Sequence, residues 1–392
     1  MRKKIRGYLY GAIRPAWLAA ALDTLAEGVL NLGYVSQCIR KRKTVEALPS
    51  VSQARQLLEK TFPPPQKERP IQSAKRDPAI TVSVIVPVYN VEAYVCQCLT
   101  SLQKQITEYP FEVIAIDDGA TDQSGKLADS YCSDSRFRII HQANQGFSGA
   151  RNTGLEMARG EYVCFVDSDD YVEPNYLQVL VSTAKANQAD IVEAGYCKLY
   201  SDGRKRNVLQ PAVRLYQDTS DQIFQYSGFF WGKLFRRELF NQVRLPEGYW
   251  YEDTIMHFLL FRMCHAFVYL PQTLYTYRIN QKGITKSSVG NPKALDTYWI
   301  LEYCVAMSSK LGLQSDKERL YRLLLYHCGY ILWLRLRELP EETRRAAFVL
   351  AAELTEKSKP NTCFTLPYMY RKVEKALLHK DYAKWKLAAR YM

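Results

Sequence analysis

Two acidic clusters, Asp117-Asp118 and Asp167-Ser168-Asp169-Asp170, each follow a run rich in apolar and β-branched residues, Phe111 to Ile116 and Tyr162 to Val166. A single acidic strand end is ordinarily a turn or helix cap, because Asp hydrogen-bonds its own backbone there. Two clusters converging on one sheet edge weaken that account, since neighbouring carboxylates repel unless a cation or a hydrogen-bond donor joins them. Hard divalent cations take such oxygen ligands, one or two carboxylates being completed by water and substrate phosphate. A third acidic pair, Glu252-Asp253, precedes the apolar run Ile255 to Phe261. Acidic residues favour the first turn of a helix, so the pair reads as a helix start, a place from which a carboxylate can also be presented as a base.

The elements that must position these residues follow from the pattern around them. Thr81 to Val86 is a β-branched run closed by Pro87, and Val91, Tyr94, Val95, Cys98 and Leu102 then mark one face of a helix. Phe111 to Ile116, Arg138 to His141 and Tyr162 to Val166 read as further strands with helical patterns between them. The alternation predicts an α/β fold with a mostly parallel sheet flanked by helices. Ligands of such sheets bind beyond the carboxyl ends of the strands. Pro87-Val88-Tyr89-Asn90, Asp117 to Asp122, Asn144-Gln145-Gly146 and Asp167 to Asp170 stand there. A dinucleotide-dependent oxidoreductase needs a Gly-x-Gly-x-x-Gly turn after a strand; the first strand here runs into Pro87-Val88-Tyr89-Asn90, and Gly146, Gly149 and Gly154 have the wrong spacing. After Asp190 the alternation weakens into a polar and aromatic half, Phe229 to Tyr277, and from about Asn291 the chain reads helical.

The net charge of +13 sits at the ends: residues 1–80 carry 15 Lys and Arg against 6 Asp and Glu, residues 356–392 carry 9 against 3, and the middle is slightly acidic. Such flanks suit an anionic surface, and membrane lipid is the leading candidate. Leu22, Leu25, Val29 and Leu32 lie at helical spacing between the basic clusters Arg2-Lys3-Lys4-Arg6 and Arg40-Lys41-Arg42-Lys43, which predicts an amphipathic segment over residues 1–60, either a membrane-surface anchor or a helix packed on its own domain. Residues 61–79, with Pro63, Pro64, Pro65, Pro70 and Pro78, read as a linker. Uncharged runs such as Gly28 to Ile39 hold 12 residues, short of the roughly 20 that a spanning helix needs. The ten cysteines show no metal-ligand spacing and read as reduced thiols of a cytoplasmic protein. No nucleic-acid-binding motif accompanies the basic ends, so nucleic acid is not an expected partner.

Val84-Ile85-Val86-Pro87-Val88-Tyr89-Asn90, Asp117-Asp118-Gly119-Ala120-Thr121-Asp122, Asn144-Gln145-Gly146 through Ala150-Arg151-Asn152-Thr153-Gly154, and Asp167-Ser168-Asp169-Asp170 together resemble glycosyltransferase family 2 in order and spacing. Trp231-Gly232-Lys233-Leu234-Phe235 and Tyr251-Glu252-Asp253 extend the resemblance, which covers about residues 80–290. It implies a GT-A fold over residues 80–290, with a nucleotide-sugar half (80–190) and an acceptor half (191–290); the helical N-terminal segment and the helical, basic C-terminal region (291–392) are read from their own residue patterns and lie outside the resemblance. It also implies a nucleotide-diphospho-sugar donor with UDP as the default, a divalent ion (Mn²⁺ or Mg²⁺), and inversion at the anomeric carbon.

Carried over by position, Pro87, Tyr89 and Asn90 border the nucleoside, Asp117 contacts the base, and Asp118 lies at the nucleotide site. Arg151, Asn152 and Lys233 match donor-binding positions. Asp167 stands near the ribose and metal shell, Asp169 is the direct metal ligand, and Asp253, with Glu252 as rival, is the catalytic base. Ala120 replaces a frequent Ser, and Tyr277-Arg278-Ile279 lacks a frequent His, leaving Arg278 and Lys282 as anion contacts to be weighed against solvated charges. The basic ends motivate a glycan or lipid-linked acceptor met at the inner face of the cell membrane, and oligomerisation is left open. The alternative is a non-catalytic glycan-binding module that has kept the fold.

Overall fold

The computed structural model describes residues 47–66, 69–216, 226–279, 289–313 and 317–392. The amphipathic pattern around Leu22 to Leu32, its basic flanks and Lys282 lie outside the described residues. The contacts divide the chain into two compact units, residues 63–316 and the N-terminal segment together with residues 317–392.

Four strands form the parallel half of the first unit: β1 (Val82–Val88), β2 (Phe111–Asp117), β3 (Phe137–His141) and β4 (Tyr162–Phe165), in the order β3-β2-β1-β4. All seven residues of β2 are buried, as expected of a strand covered on both faces by helices. The helix Gly146–Met157 lies so close to β1 that a Cβ on Gly154 would stand 2.4 Å from Ile85 Cγ2; only glycine permits this approach.

The sheet continues through β5 (Tyr171–Val172), β6 (Ile191–Leu199), β7 (Lys205–Val208), β8 (Val213–Tyr216), β9 (Lys233–Arg236) and β10 (Ala266–Arg278), with the path β4-β9-β6-β10-β5. β9 runs antiparallel between β4 and β6, and a bridge between Phe165 and Trp231 brings the Trp231 to Phe235 motif beside the end of β4. β10 pairs in parallel with β6 and antiparallel with β5, setting Thr276 opposite Tyr171. Its end therefore reaches the acidic turn after β4. The helix Asp296–Lys310, read from sequence as part of the C-terminal region, belongs to this unit: Asp296 accepts from the Trp250 amide at 2.7 Å, and Ser308 Oγ accepts from Arg262 at 2.7 Å.

The Pro-rich stretch forms neither helix nor strand where it is described, as its prolines require. It is nonetheless tied to the domain. The Arg69 guanidinium donates to both Glu156 carboxylate oxygens at 2.7 Å, to Glu247 at 2.9 Å and to Thr153 Oγ1 at 3.0 Å. The Ala74 amide donates to the Glu156 carbonyl at 2.7 Å.

In the second unit the helix Val51–Thr61 starts in a reciprocal capping box between Ser50 and Gln53 and packs on the helix Glu341–Ser358. Trp385, on the helix Tyr382–Tyr391, meets the rings of Phe348 and Tyr382, and its indole N–H donates to the Cys328 carbonyl at 2.9 Å. Among the described residues no helix is long and apolar enough to cross a membrane.

Candidate active site

The parallel strands deliver their terminal residues to one edge. Pro87 is the one half-buried residue of an otherwise buried β1, while Tyr89 and Asn90 beyond the strand are exposed. Asn90 is left-handed (φ 51°), which Asn tolerates better than most residues, and its Oδ1 accepts from the Thr121 amide at 2.8 Å. The loops after β1 and β2 are thus joined. Asp117, at the end of β2, accepts from the Ala120 amide through Oδ1 at 3.0 Å and meets His141 Nδ1 through Oδ2 at 2.8 Å. Asp118 Oδ1 accepts from Gln142 Nε2 at 2.7 Å and from the Gln145 amide at 2.9 Å.

At the end of β4, Asp167 and Asp169 are partly exposed and Asp170 is buried. Asp170 accepts from the Tyr275 hydroxyl at 2.8 Å and the Arg278 amide at 2.7 Å. Burial, and then the charges of Asp169 and Asp167, hold its pKa well above the usual carboxylate range. The Asp167 and Asp169 carboxylates give this turn a negative field, while the nearby guanidinium of Arg278 donates to the Asp169 carbonyl and to Gln97. Among the described residues no group of three His, Cys, Asp or Glu side chains forms a ready metal cage. A pair of partly exposed carboxylates does fit a hydrated divalent ion that takes its remaining ligands from water and phosphate.

Arg151 joins this turn to the acceptor half. It is buried on the helix Gly146–Met157, donating to Asp167 Oδ1 at 2.6 Å and to Glu252 Oε1 at 2.7 Å, with the Phe147 and Phe230 rings beside it. Burial drives the Glu252 pKa up, Arg151 opposing it and the Asp253 charge adding to it. Tyr251, just before, is left-handed (φ 66°), an uncommon state for a bulky residue and one that clusters at functional sites. Asp253 follows, half-buried, at the start of the helical stretch that continues as Met256–Leu260.

Two expected donor contacts have other partners here. The buried Asn152 amide donates to the Leu245 carbonyl at 2.8 Å and to Glu247 at 3.1 Å, and its oxygen accepts from the Leu245 amide. Lys233 is wholly buried, with its ammonium 3.2 Å from Glu193 and donating to Ser227 Oγ and the Phe229 carbonyl. Both hold loops of the acceptor half. Sequence reading also missed His141, Arg69 and the ring stack of Trp231 with Phe229, Tyr275 and Tyr277 at 4.7–5.0 Å. For His141 a signal existed, since it occupies the end of a strand parallel to β2. Arg69 had none, its partners lying 76 to 178 residues away.

The sequence profile of Glycosyl transferase family 2 matches residues 83–244. The uncharacterized glycosyltransferase EpsJ of Bacillus subtilis (strain 168) is 38% identical over 52% of this chain and 63% of its own length. Glycosyltransferase GlyG of Streptococcus pneumoniae serotype 4 is 30% identical over 59% of this chain and 79% of its own length. The chain spans under two thirds of EpsJ and of EpsH, the latter matched over 62%. The crystal structure of S. aureus TarS 1–349 in complex with UDP-GlcNAc aligns with a TM-score of 0.54 at 19% identity, covering 79% of this chain and 91% of that one; this likeness shows the GT-A-type fold. The chain belongs to glycosyltransferase family 2.

Proposed function

We propose that this chain is an inverting, metal-dependent glycosyltransferase that moves a hexosyl unit from a nucleoside-diphosphate donor to a hydroxyl of a glycan or lipid-linked acceptor in bacterial-type surface polysaccharide synthesis, working at the inner face of the membrane. The observation that carries this reading is the Arg151 bridge. One guanidinium ties Asp167, at the strand edge expected to hold the donor, to Glu252, beside the expected base. Family membership supports it independently.

On this reading Pro87, Tyr89 and Asn90 border the nucleoside, Asp117 accepts from the base, and Asp118 holds the loop through Gln145. Asp167 and Asp169 would hold a divalent ion, which when bound offsets the charge of the departing diphosphate as a Lewis acid. The acceptor oxygen bonds to the anomeric carbon from the face opposite the diphosphate, the bond to the diphosphate oxygen breaks, and the hydroxyl proton passes to Asp253. Glu252, engaged by Arg151, serves to orient that helix start, and Asn152 and Lys233 hold loops. UDP-GlcNAc, the ligand in the TarS structure, is the first donor to try.

The division of labour is testable. Asp253→Asn should lower transfer by about 10²- to 10⁴-fold with donor affinity kept, whereas Asp169→Ala should weaken Mn²⁺-dependent donor binding. Donor affinity falling equally in both variants would contradict it.

A further inference from the structure

His141 lies between two carboxylates. Its Nδ1 is 2.8 Å from Asp117 Oδ2 and its Nε2 is 3.0 Å from Asp129 Oδ1. A neutral imidazole has one N–H and one lone pair, whereas the imidazolium has two N–H donors. Both contacts are therefore hydrogen bonds only in the charged form. In the neutral form one ring lone pair faces a carboxylate oxygen. Asp117 is otherwise closely confined, with the Ala120 amide on Oδ1 and Gly125 so near that an added Cβ would stand 2.4 Å from Oδ2. Asp129 is half-exposed on the helix Ser124–Asp129 and belongs to none of the expected ligand contacts.

We infer that His141 is a positioning residue: as an imidazolium hydrogen-bonded to both carboxylates it fixes the Asp117 carboxylate for the nucleobase, so that nucleotide binding follows the protonation of this ring. The inference rests on the proposed function only in taking Asp117 as a nucleotide contact.

The charged groups facing the ring are Asp117 from β2 and Asp129 from the helix. The hydrogen bond to Asp117 raises the His141 pKa above the ordinary 6.5; partial burial opposes this, and Asp129 adds to it. A raised histidine pKa means that the favourable interaction is complete below the ordinary value and is lost as pH rises through the raised one. A nucleoside diphosphate, itself an anion, favours the same charged form. Nucleotide affinity should therefore fall on the alkaline side, by at most about tenfold per pH unit for one linked proton.

The test is calorimetric titration of the full chain with UDP at fixed Mg²⁺ from about pH 5.5 to about pH 9, comparing wild type, His141→Gln and Asp129→Asn. Expressing wild-type affinity relative to His141→Gln cancels the protonation of UDP itself. That ratio should exceed one at low pH and decline to a floor as pH rises. Asp129→Asn, a surface change, should keep the acid plateau and move the step to lower pH. A ratio constant across the range, or a step unmoved by Asp129→Asn, overturns the inference and leaves the transferase reading standing. Wild type binding none of UDP, GDP or CDP at any pH overturns both.

Discussion

Arg151 has partners 16 and 101 residues away along the chain, and both are carboxylates. Removing one member of a buried ionic set leaves the others without compensation, at a cost of about 3–5 kcal/mol. Arg151→Met should lower unfolding free energy by about that amount in denaturant titration. Adding Glu252→Gln should recover about 1 kcal/mol or more beyond additivity, and strictly additive losses would show that the two side chains do not depend on one another. At this scale the sequence was legible where residue type and strand end coincide. Asp117, Asp118, Asp167 and Asp169 stand at the edge that alternation predicted. It was illegible where a long side chain chooses its partner in space. Lys233 matched a donor position, yet its ammonium is enclosed with Glu193, and Arg69, within a stretch read as a linker, gathers Glu156 and Glu247.

The helix Gly146–Met157 positions Arg151, and its seat on β1 depends on Gly154. Gly154→Ala should strain that contact and cost about 1–3 kcal/mol, partly offset by the better helix propensity of Ala. Because the displaced turn adjoins Arg151, donor affinity should fall as well. Thermal unfolding and donor titration of the same sample check the pair, and unchanged affinity in a destabilised protein would detach the helix from the site. The four parallel strands were foreseen to within about two residues because buried strands leave continuous β-branched runs. None of β5 to β10 was foreseen. β5, β8 and β9 are two to four residues long and are defined by pairing with distant strands, such as Phe235 opposite Ile191, rather than by local periodicity, and β10 is interrupted by register shifts. Proline composition argued for a linker over residues 61–79 but could not reveal the ties made by Arg69 and Ala74.

For the whole molecule, the basic residues lie at the two ends and the middle is slightly acidic. If those ends meet lipid, the full chain should sediment with anionic vesicles at low salt and be released at about 0.5 M salt, where the Debye length is only a few ångströms; equal binding to neutral vesicles would contradict an electrostatic attachment. We propose that the two acidic strand ends and the Glu252-Asp253 helix start form one transferase site. The most direct measurement is release of nucleoside diphosphate from a panel of nucleotide-sugars with Mn²⁺ or Mg²⁺, in wild type, Asp169→Ala and Asp253→Asn. Slow metal-dependent release from one donor is expected even without acceptor, lost in Asp169→Ala. No release and no metal-dependent binding of any donor would contradict it, and would favour a glycan-binding module that has kept the fold.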